Sequence, residues 1–363
     1  MKVVIAPDSF KGSLAAGDAA RALARGWQRR RPADEVRLLP LADGGEGTVD
    51  AFASALPQAE RRAETVPGPD GRPVAADWLL LPDGTAVLEL AQSSGLPLMR
   101  TPDPLRAHTY GLGAVMRAAV DAGATRLVVG LGGSASTDGG TGALRALGLR
   151  LLDAHGRDLP LGGGPLVELA HLDGVDLIDP PPGGTDLLVD VTAPLLGPTG
   201  AAATYGPQKG AQPADVALLD RALRRLAELA GGRPDQPGAG AAGGTPYGLV
   251  ALWGARIMPG AQTISALVGM PDALASADVV LTGEGRFDET SLTGKVVGSL
   301  LEAAAGSGVS IGIVAGQVAG PVPASVAAAV SLVELAGSVT AALGDPATWL
   351  EEAGAAMAQR LAG

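Results

Sequence analysis

The chain contains no cysteine. That excludes a disulfide framework, a thiol nucleophile and any cysteine-ligated metal, and it fits a reducing compartment. Histidine is scarce as well: His108, His155 and His171 are scattered, without zinc-ligand spacing, which argues against a zinc site and a Ser-His-Asp triad. Aromatic residues make up only 3% of the chain, so its cores must be built from Val, Leu and Ala, beneath turns supplied by 54 glycines and 28 prolines. Such a composition suits an α/β enzyme more than a β-sandwich. Positive charge is thin: the formal net charge is −11, and basic residues cluster nowhere beyond Gln28 to Arg31, a solvated helix end, so nucleic acid is not the expected partner. No apolar run of ~20 residues is free of Arg, Gln or Pro, and no basic region followed by an apolar stretch opens the sequence. A cytoplasmic protein without a membrane partner is the expectation.

At 363 residues the chain exceeds the ~250 to 300 residues at which a single core stops growing, so two domains are expected. Strand-like apolar runs bounded by glycine occur at Lys2 to Ala6, Glu35 to Leu39, Asp278 to Thr282, Ser310 to Ala315 and Ala329 to Leu335. Each is apolar at both alternating positions, as a strand covered on both faces by helices should be. Between the first two lies an amphipathic helix carrying Leu14, Ala19, Leu23 and Trp27 on one face, with Ser13 placed to cap it. Strand, helix, strand at this spacing is a βαβ unit. The fold class is therefore α/β. Both chain ends (1–62 and 270–363) build a doubly wound parallel sheet of Rossmann or flavodoxin type, and a second α/β domain (63–269) is inserted into it. Within the insertion, Arg72 to Leu90 reads as a hairpin about Pro82-Asp83-Gly84. Helices are expected at Leu105 to Ala122, Ala143 to Leu147 and Ala214 to Ala230, and strands at Arg126 to Val129, Leu149 to Leu152 and Asp186 to Val191. An active site would lie in the cleft between the domains.

Lysine is the rarest charged residue. Only Lys2, Lys11, Lys209 and Lys295 occur, and the last three sit in glycine-rich, hydroxyl-rich stretches suited to phosphate or carboxylate. APDSFKGSL follows the first strand with Asp8, Ser9, Lys11 and Ser13, where amides and an ammonium could hold an anion. LPLADGGEGTVDA follows the second, offering Asp43 and Glu46 for Mg²⁺ or for a hydroxyl proton. TGEGRFDETSLTGKVVG carries Glu284, Arg286, Asp288, Ser291 and Lys295. It is not a P-loop: the first glycine of the required spacing is missing, and Val296 stands where the hydroxyl should be.

In the insertion, LVVGLGGSASTDGGTGALRALG offers two readings. Gly130, Gly132 and Ala135, with Asp153 ending the next strand, match a dinucleotide fingerprint, which would make the chain an NAD-dependent dehydrogenase of a small hydroxy acid. Alternatively Gly132, Gly133, Ser134, Ser136, Thr137, Asp138 and Gly139 form a longer loop of hydroxyls and amides around a phosphate. DVTAPLLGPTGAAATYGPQKGA adds Asp190 at a strand end and Gln208-Lys209-Gly210 before a helix, and GAGAAGGTPYG supplies close backbone approach.

Taken in order, APDSFKGSL, LADGGEGT, ELAQSSGL, GLGGSASTDGGTGALRALG, PLLGPTGAAATYGPQKGA, PGAGAAGGTPYG and LTGEGRFDETSLTGK resemble the type-1 glycerate kinases of bacteria, from Lys2 to about residue 335. The resemblance implies ATP-dependent phosphorylation of D-glycerate to 2-phosphoglycerate, with ATP and Mg²⁺ as cofactors and two α/β domains; a homodimer is compatible with it. One departure is Asp190-Val191-Thr192-Ala193-Pro194, where the family usually has Asn in place of Ala193. On this reading Asp190, Lys11 and Lys295 are the catalytic candidates. Asp8, Ser9, Lys11, Ser13, Gln208, Lys209 and Arg286 are expected to bind substrate, and Gly132 to Gly139 the nucleotide. Asp43, Glu284 and Asp288 compete for the metal. Besides the dehydrogenase, a kinase of the galactokinase and homoserine kinase type and a non-catalytic sugar-acid sensor are the rival classes.

Overall fold

The structure, a computed structural model, describes residues 1–10, 12–292 and 295–361. Among these, the strands in chain order are β1 (Lys2–Ile5), β2 (Glu35–Leu38), β3 (Glu60–Pro67), β4 (Pro73–Leu80), β5 (Thr85–Glu89), β6 (Arg126–Gly130), β7 (Arg150–Leu152), β8 (His171–Asp173), β9 (Thr185–Leu188), β10 (Arg256–Met258), β11 (Val279–Phe287), β12 (Ser310–Val318) and β13 (Val326–Ser331). The chain divides into two compact units: Met1–Asp43 with Asp50–Pro57 and Pro259–Gly363, and Gly44–Val49 with Gln58–Met258.

The first unit is built on one five-stranded, wholly parallel sheet in the order β13-β12-β11-β1-β2. Val3, Ile5, Val279, Leu281, Ile313 and Val314 are buried, as befits strands sandwiched between helices. β2 departs from the expected apolar pattern: it alternates exposed and half-buried residues because it is an edge strand, paired only through β1. In sheet sequence the order is 2-1-3-4-5, so the direction of winding reverses between β1 and β11.

The helix Ala16–Arg30 buries Ala19, Ala20, Leu23 and Trp27. Its N-cap is Ala15 and not Ser13, whose hydroxyl instead donates to the Phe10 carbonyl at 2.8 Å and closes the preceding turn. The helix lies against Pro346–Arg360, and glycine lets the two backbones meet: a Cβ on Gly26 would fall onto the Glu351 carbonyl, and one on Gly354 onto that of Leu23. A second difference concerns β13. The apolar run Ala329 to Leu335 is not one strand; it breaks at Ser331, whose hydroxyl accepts from the Glu334 N–H at 3.5 Å and caps the helix Leu332–Ala336.

The second unit holds a six-stranded sheet, β10-β9-β6-β5-β4-β3, parallel from β10 to β5 and antiparallel from there to β3. The expected hairpin is present, with Leu79 opposite Val87 and Leu80 opposite Ala86. Trp78, Leu88, Leu127, Val129 and Leu187 from the sheet pack with Met116, Leu144 and Leu223 from the helices Tyr110–Asp121, Thr141–Ala146 and Pro213–Ala230. β7 and β8 form a separate antiparallel pair.

Because Gly26 meets backbone rather than a flexible side chain, Gly26→Ala should destabilise the protein by ~1 to 3 kcal/mol through overpacking. Gly344→Ala, where no atom stands within 4 Å of the new Cβ, should be close to neutral. Urea unfolding of the two variants checks the contrast.

Candidate active site

In the first unit the loops leaving the carboxyl ends of the parallel strands meet at the reversal between β1 and β11, where an open α/β sheet leaves a crevice. The segment after β1 is tied along β11: Asp8 N–H donates to the Gly283 carbonyl at 2.8 Å, and the Thr282 hydroxyl to the Ala6 carbonyl at 2.9 Å. The crevice is a cavity of about 370 Å³. One wall is polar, formed by Asp8, Ser9, Ser13, Asp43, Glu284, Arg286 and Lys295; Gly316, Gln317, Leu332, Val333, Val339, Ala342 and Leu343 contribute to the remainder.

Seven residues singled out from the sequence therefore share one cavity. Asp8 and Glu284 are each 8% exposed, and Ser9 N–H donates to Asp8 Oδ1 at 2.6 Å. Asp288 is not among the lining residues. Its Oδ1 accepts from the Thr290 hydroxyl at 2.7 Å and the Thr290 N–H at 2.9 Å, and Arg286 Nε stands 3.3 Å from Oδ2. The Thr290 bonds, hydroxyl first, hold the Asp288 carboxyl below its ordinary range. Lys295 Nζ in turn donates to Thr290 Oγ1 at 3.1 Å, so one hydroxyl fixes the acid and the ammonium together. Lys11 lies outside the described residues. Among the described residues no group of three or more histidines and carboxylates is arranged to hold a metal.

In the second unit the loop after β6 is a knot. Asp138 is fully buried and accepts from Thr109 N–H and hydroxyl, both at 2.8 Å, and from Gly140 and Gly142 N–H, both at 3.1 Å. Holding Thr109 in this way also explains why the helix read from Leu105 begins only at Tyr110. Lys209, 2% exposed, donates from Nζ to Ser134 Oγ at 2.7 Å and to the Ser136 carbonyl. Burial pushes its ammonium down to about 7, opposed by the nearby Asp138 charge. The Ser136 and Thr137 hydroxyls are buried without a hydrogen-bond partner among the described residues. Only Gly132 and Gly133 form an accessible tip, and Gly139 N–H is bonded to the Gly243 carbonyl. Gln208 is exposed, and the half-buried Asp190 follows the end of β9.

The dinucleotide reading is not supported. Asp153 does not end a strand beside β6: β7 pairs antiparallel with β8 in its own sheet. The carboxylate itself closes a turn, accepting from His155 and Arg157 N–H at 2.8 and 3.0 Å and from Arg157 Nε at 2.8 Å.

Sequence reasoning missed several positions. Glu89, at the end of β5, accepts from Gly47 and Val49 N–H at 3.0 and 3.2 Å and fixes the start of the helix Thr48–Ala55. A lone acid among apolar residues was the available signal. Gln317 was missed because the strand expected to end at Ala315 runs on to Val318, and the apolar residues after β13 were hidden by reading Ala329 to Leu335 as a single strand.

The fold and the cavity define an α/β protein with acidic and basic side chains gathered at a sheet switch point. Residues 3–362 match the glycerate kinase family. The chain is 43% identical to a glycerate kinase of Halalkalibacterium halodurans, over 85% of this chain and 83% of that one. It is 42% identical to the glycerate 2-kinase of Escherichia coli, over 82% of this chain and 80% of its counterpart. A crystal structure assigned to glycerate kinase 2 from Salmonella typhimurium LT2 superposes with a TM-score of 0.88 at 36% identity, covering 100% of this chain and 98% of the other. The chain belongs to the glycerate kinase family.

The lowered Lys209 ammonium has a consequence for stability. Between about pH 7 and the ordinary lysine value of 10.5 the unfolded chain binds the proton and the folded chain does not, so stability rises with pH across that window. Relative to Lys209→Met, the wild type should gain stability from pH 7 to 9.5, with a slope of at most ~1.4 kcal/mol per pH unit. Paired denaturant titrations measure the difference. Asp138→Ala, which strands several buried donors, should cost ~3 to 5 kcal/mol in the same assay.

Proposed function

We propose that the chain transfers the γ-phosphoryl group of ATP to D-glycerate, giving 2-phosphoglycerate and ADP. The observation that carries this reading is the cavity at the β1/β11 reversal, where Lys295 and Arg286 line the same space as Asp8, Asp43 and Glu284 in a chain of the glycerate kinase family. Phosphoryl transfer requires positioning and charge neutralisation more than covalent help from the protein. In the proposed step the C2 hydroxyl oxygen bonds to the γ-phosphorus, the bond from that phosphorus to the β–γ bridging oxygen breaks, and ADP leaves with the electron pair. The hydroxyl proton goes to a carboxylate, for which Asp190 is the candidate.

Lys295, Arg286 and Lys11 would face anionic groups, with Ser9 and Ser13 supplying hydroxyls. The tip Gly132–Gly133 keeps a proposed place beside a phosphate, and the unpartnered Ser136 and Thr137 hydroxyls behind it support a loop whose bonding is completed by a ligand. Mg²⁺ usually takes one or two carboxylates and fills its remaining positions with phosphate oxygens and water. Asp43 and Glu284, which line the cavity, fit that donor set better than Asp288, which does not line it. The ion would supply neutralisation of phosphate charge.

A coupled assay should show ADP release that depends on D-glycerate, with the phosphate on the C2 oxygen by phosphorus NMR. Lys295→Ala and Lys11→Ala should each lower kcat/KM at least tenfold, the ~1.5 kcal/mol of a charge-assisted contact. Unchanged kinetics in either variant removes that lysine from the site.

A further inference from the structure

The cavity in the first unit is larger and less polar than glycerate can use. Glycerate carries oxygen on every carbon and has no apolar face to bury. Yet one side of the cavity is an aliphatic wall: Leu332 and Val333 from the first turn of the helix Leu332–Ala336, and Val339, Ala342 and Leu343 from the helix Val339–Gly344. Val339 and Leu343 stand four apart on one helical face and remain 51% and 60% exposed. Single exposed aliphatics are ordinary, but two neighbours facing one cavity are a surface that something apolar should cover. Lys295 and Arg286 line the same cavity, and Gln317 adds an amide. A volume of about 370 Å³ is within the range of pockets that enclose a molecule several times the size of glycerate.

We propose that this wall is the platform for the base of a purine nucleotide, stacked on Val339 and Leu343, with its phosphates running toward Lys295 and Arg286. The ligand it fits is flat and apolar at one end and anionic at the other. This assigns the base to the first unit and not to the loop Gly132–Gly139. The assignment rests on the kinase reading above, but the two fail separately.

The test compares ADP with inorganic tripolyphosphate, which has the charge but no base, by calorimetric titration of the full chain. Leu343→Asn and Val339→Asn keep the net charge and replace exposed side chains, so both should fold as the wild type does by circular dichroism. Each should weaken ADP severalfold, and the double variant roughly tenfold, while tripolyphosphate binding stays as in the wild type. Lys295→Ala should weaken both ligands. Wild-type affinity for ADP in the double variant overturns the proposal, as does an equal loss for ADP and tripolyphosphate, or wild-type protein that binds no ADP. If the wild type binds ADP in this base-dependent way but does not turn over D-glycerate, the platform stands and the glycerate reading falls.

Discussion

The site in the first unit depends on β1 being paired on both sides by strands from opposite ends of the chain. Val3 is opposite Val36 of β2 on one side and Val279 of β11 on the other. The connection to β2 winds one way across the sheet and the later strands wind the other, so the connections that follow β1 and β11 leave toward opposite faces and a crevice opens at their carboxyl ends. Buried aliphatic residues on both faces of these central strands make that pairing unavoidable, and the crevice follows from it. The polar groups then need only to occur toward or just past the carboxyl ends of the strands: Asp8 follows β1, Asp43 follows β2 and Glu284 lies in the second half of β11.

Acids in the protein occupy two kinds of surroundings. Asp138 is surrounded by backbone N–H groups and the Thr109 hydroxyl, all from the polypeptide, so its charge is spent on holding a loop. Glu89 does the same for the start of a helix. Asp8, Asp43 and Glu284 instead open onto a cavity that also holds two cationic side chains. A carboxylate enclosed by donors of its own loop defines structure, whereas one set at a cavity wall that also carries cations stands where a ligand can reach it.

Much of this was legible in the residues. The βαβ alternation at the ends, the hairpin about Pro82-Asp83-Gly84 and the shared neighbourhood of Asp8, Glu284, Arg286 and Lys295 follow from periodicity and from glycine placement, although β11 runs on to Phe287, so that Glu284 and Arg286 lie inside the strand expected to stop at Thr282 and not in the loop after it. What escaped did so for identifiable reasons. Ser13 carries a capping residue's chemistry, but the Phe10 carbonyl takes its hydroxyl first. Ala329 to Leu335 is apolar throughout, and nothing local distinguishes a strand that continues from one that Ser331 stops and caps as a helix. Lys209 looks in sequence like an anion contact on a loop, while in the fold it is sealed inside, its ammonium bonded to Ser134 and Ser136. Asp153 matched a fingerprint by spacing alone; spacing cannot reveal that its strand pairs elsewhere. In each case a long-range partner, invisible along the chain, decided the outcome.

The two walls of the cavity act on each other. An aliphatic surface in the same cavity as Lys295 and Arg286 lowers the local dielectric once a ligand excludes water, and a charge interaction worth about 1 kcal/mol at 4 Å in water grows severalfold in such surroundings. Neither cation is deeply buried before that happens, and Lys295 is already aligned through Thr290 with Asp288. The arrangement avoids the cost of desolvating the cations permanently and applies their strength only when an anion is present to share it. Apolar surface left uncovered beside the site is, on this view, part of how a chain with so few lysines makes each of them count.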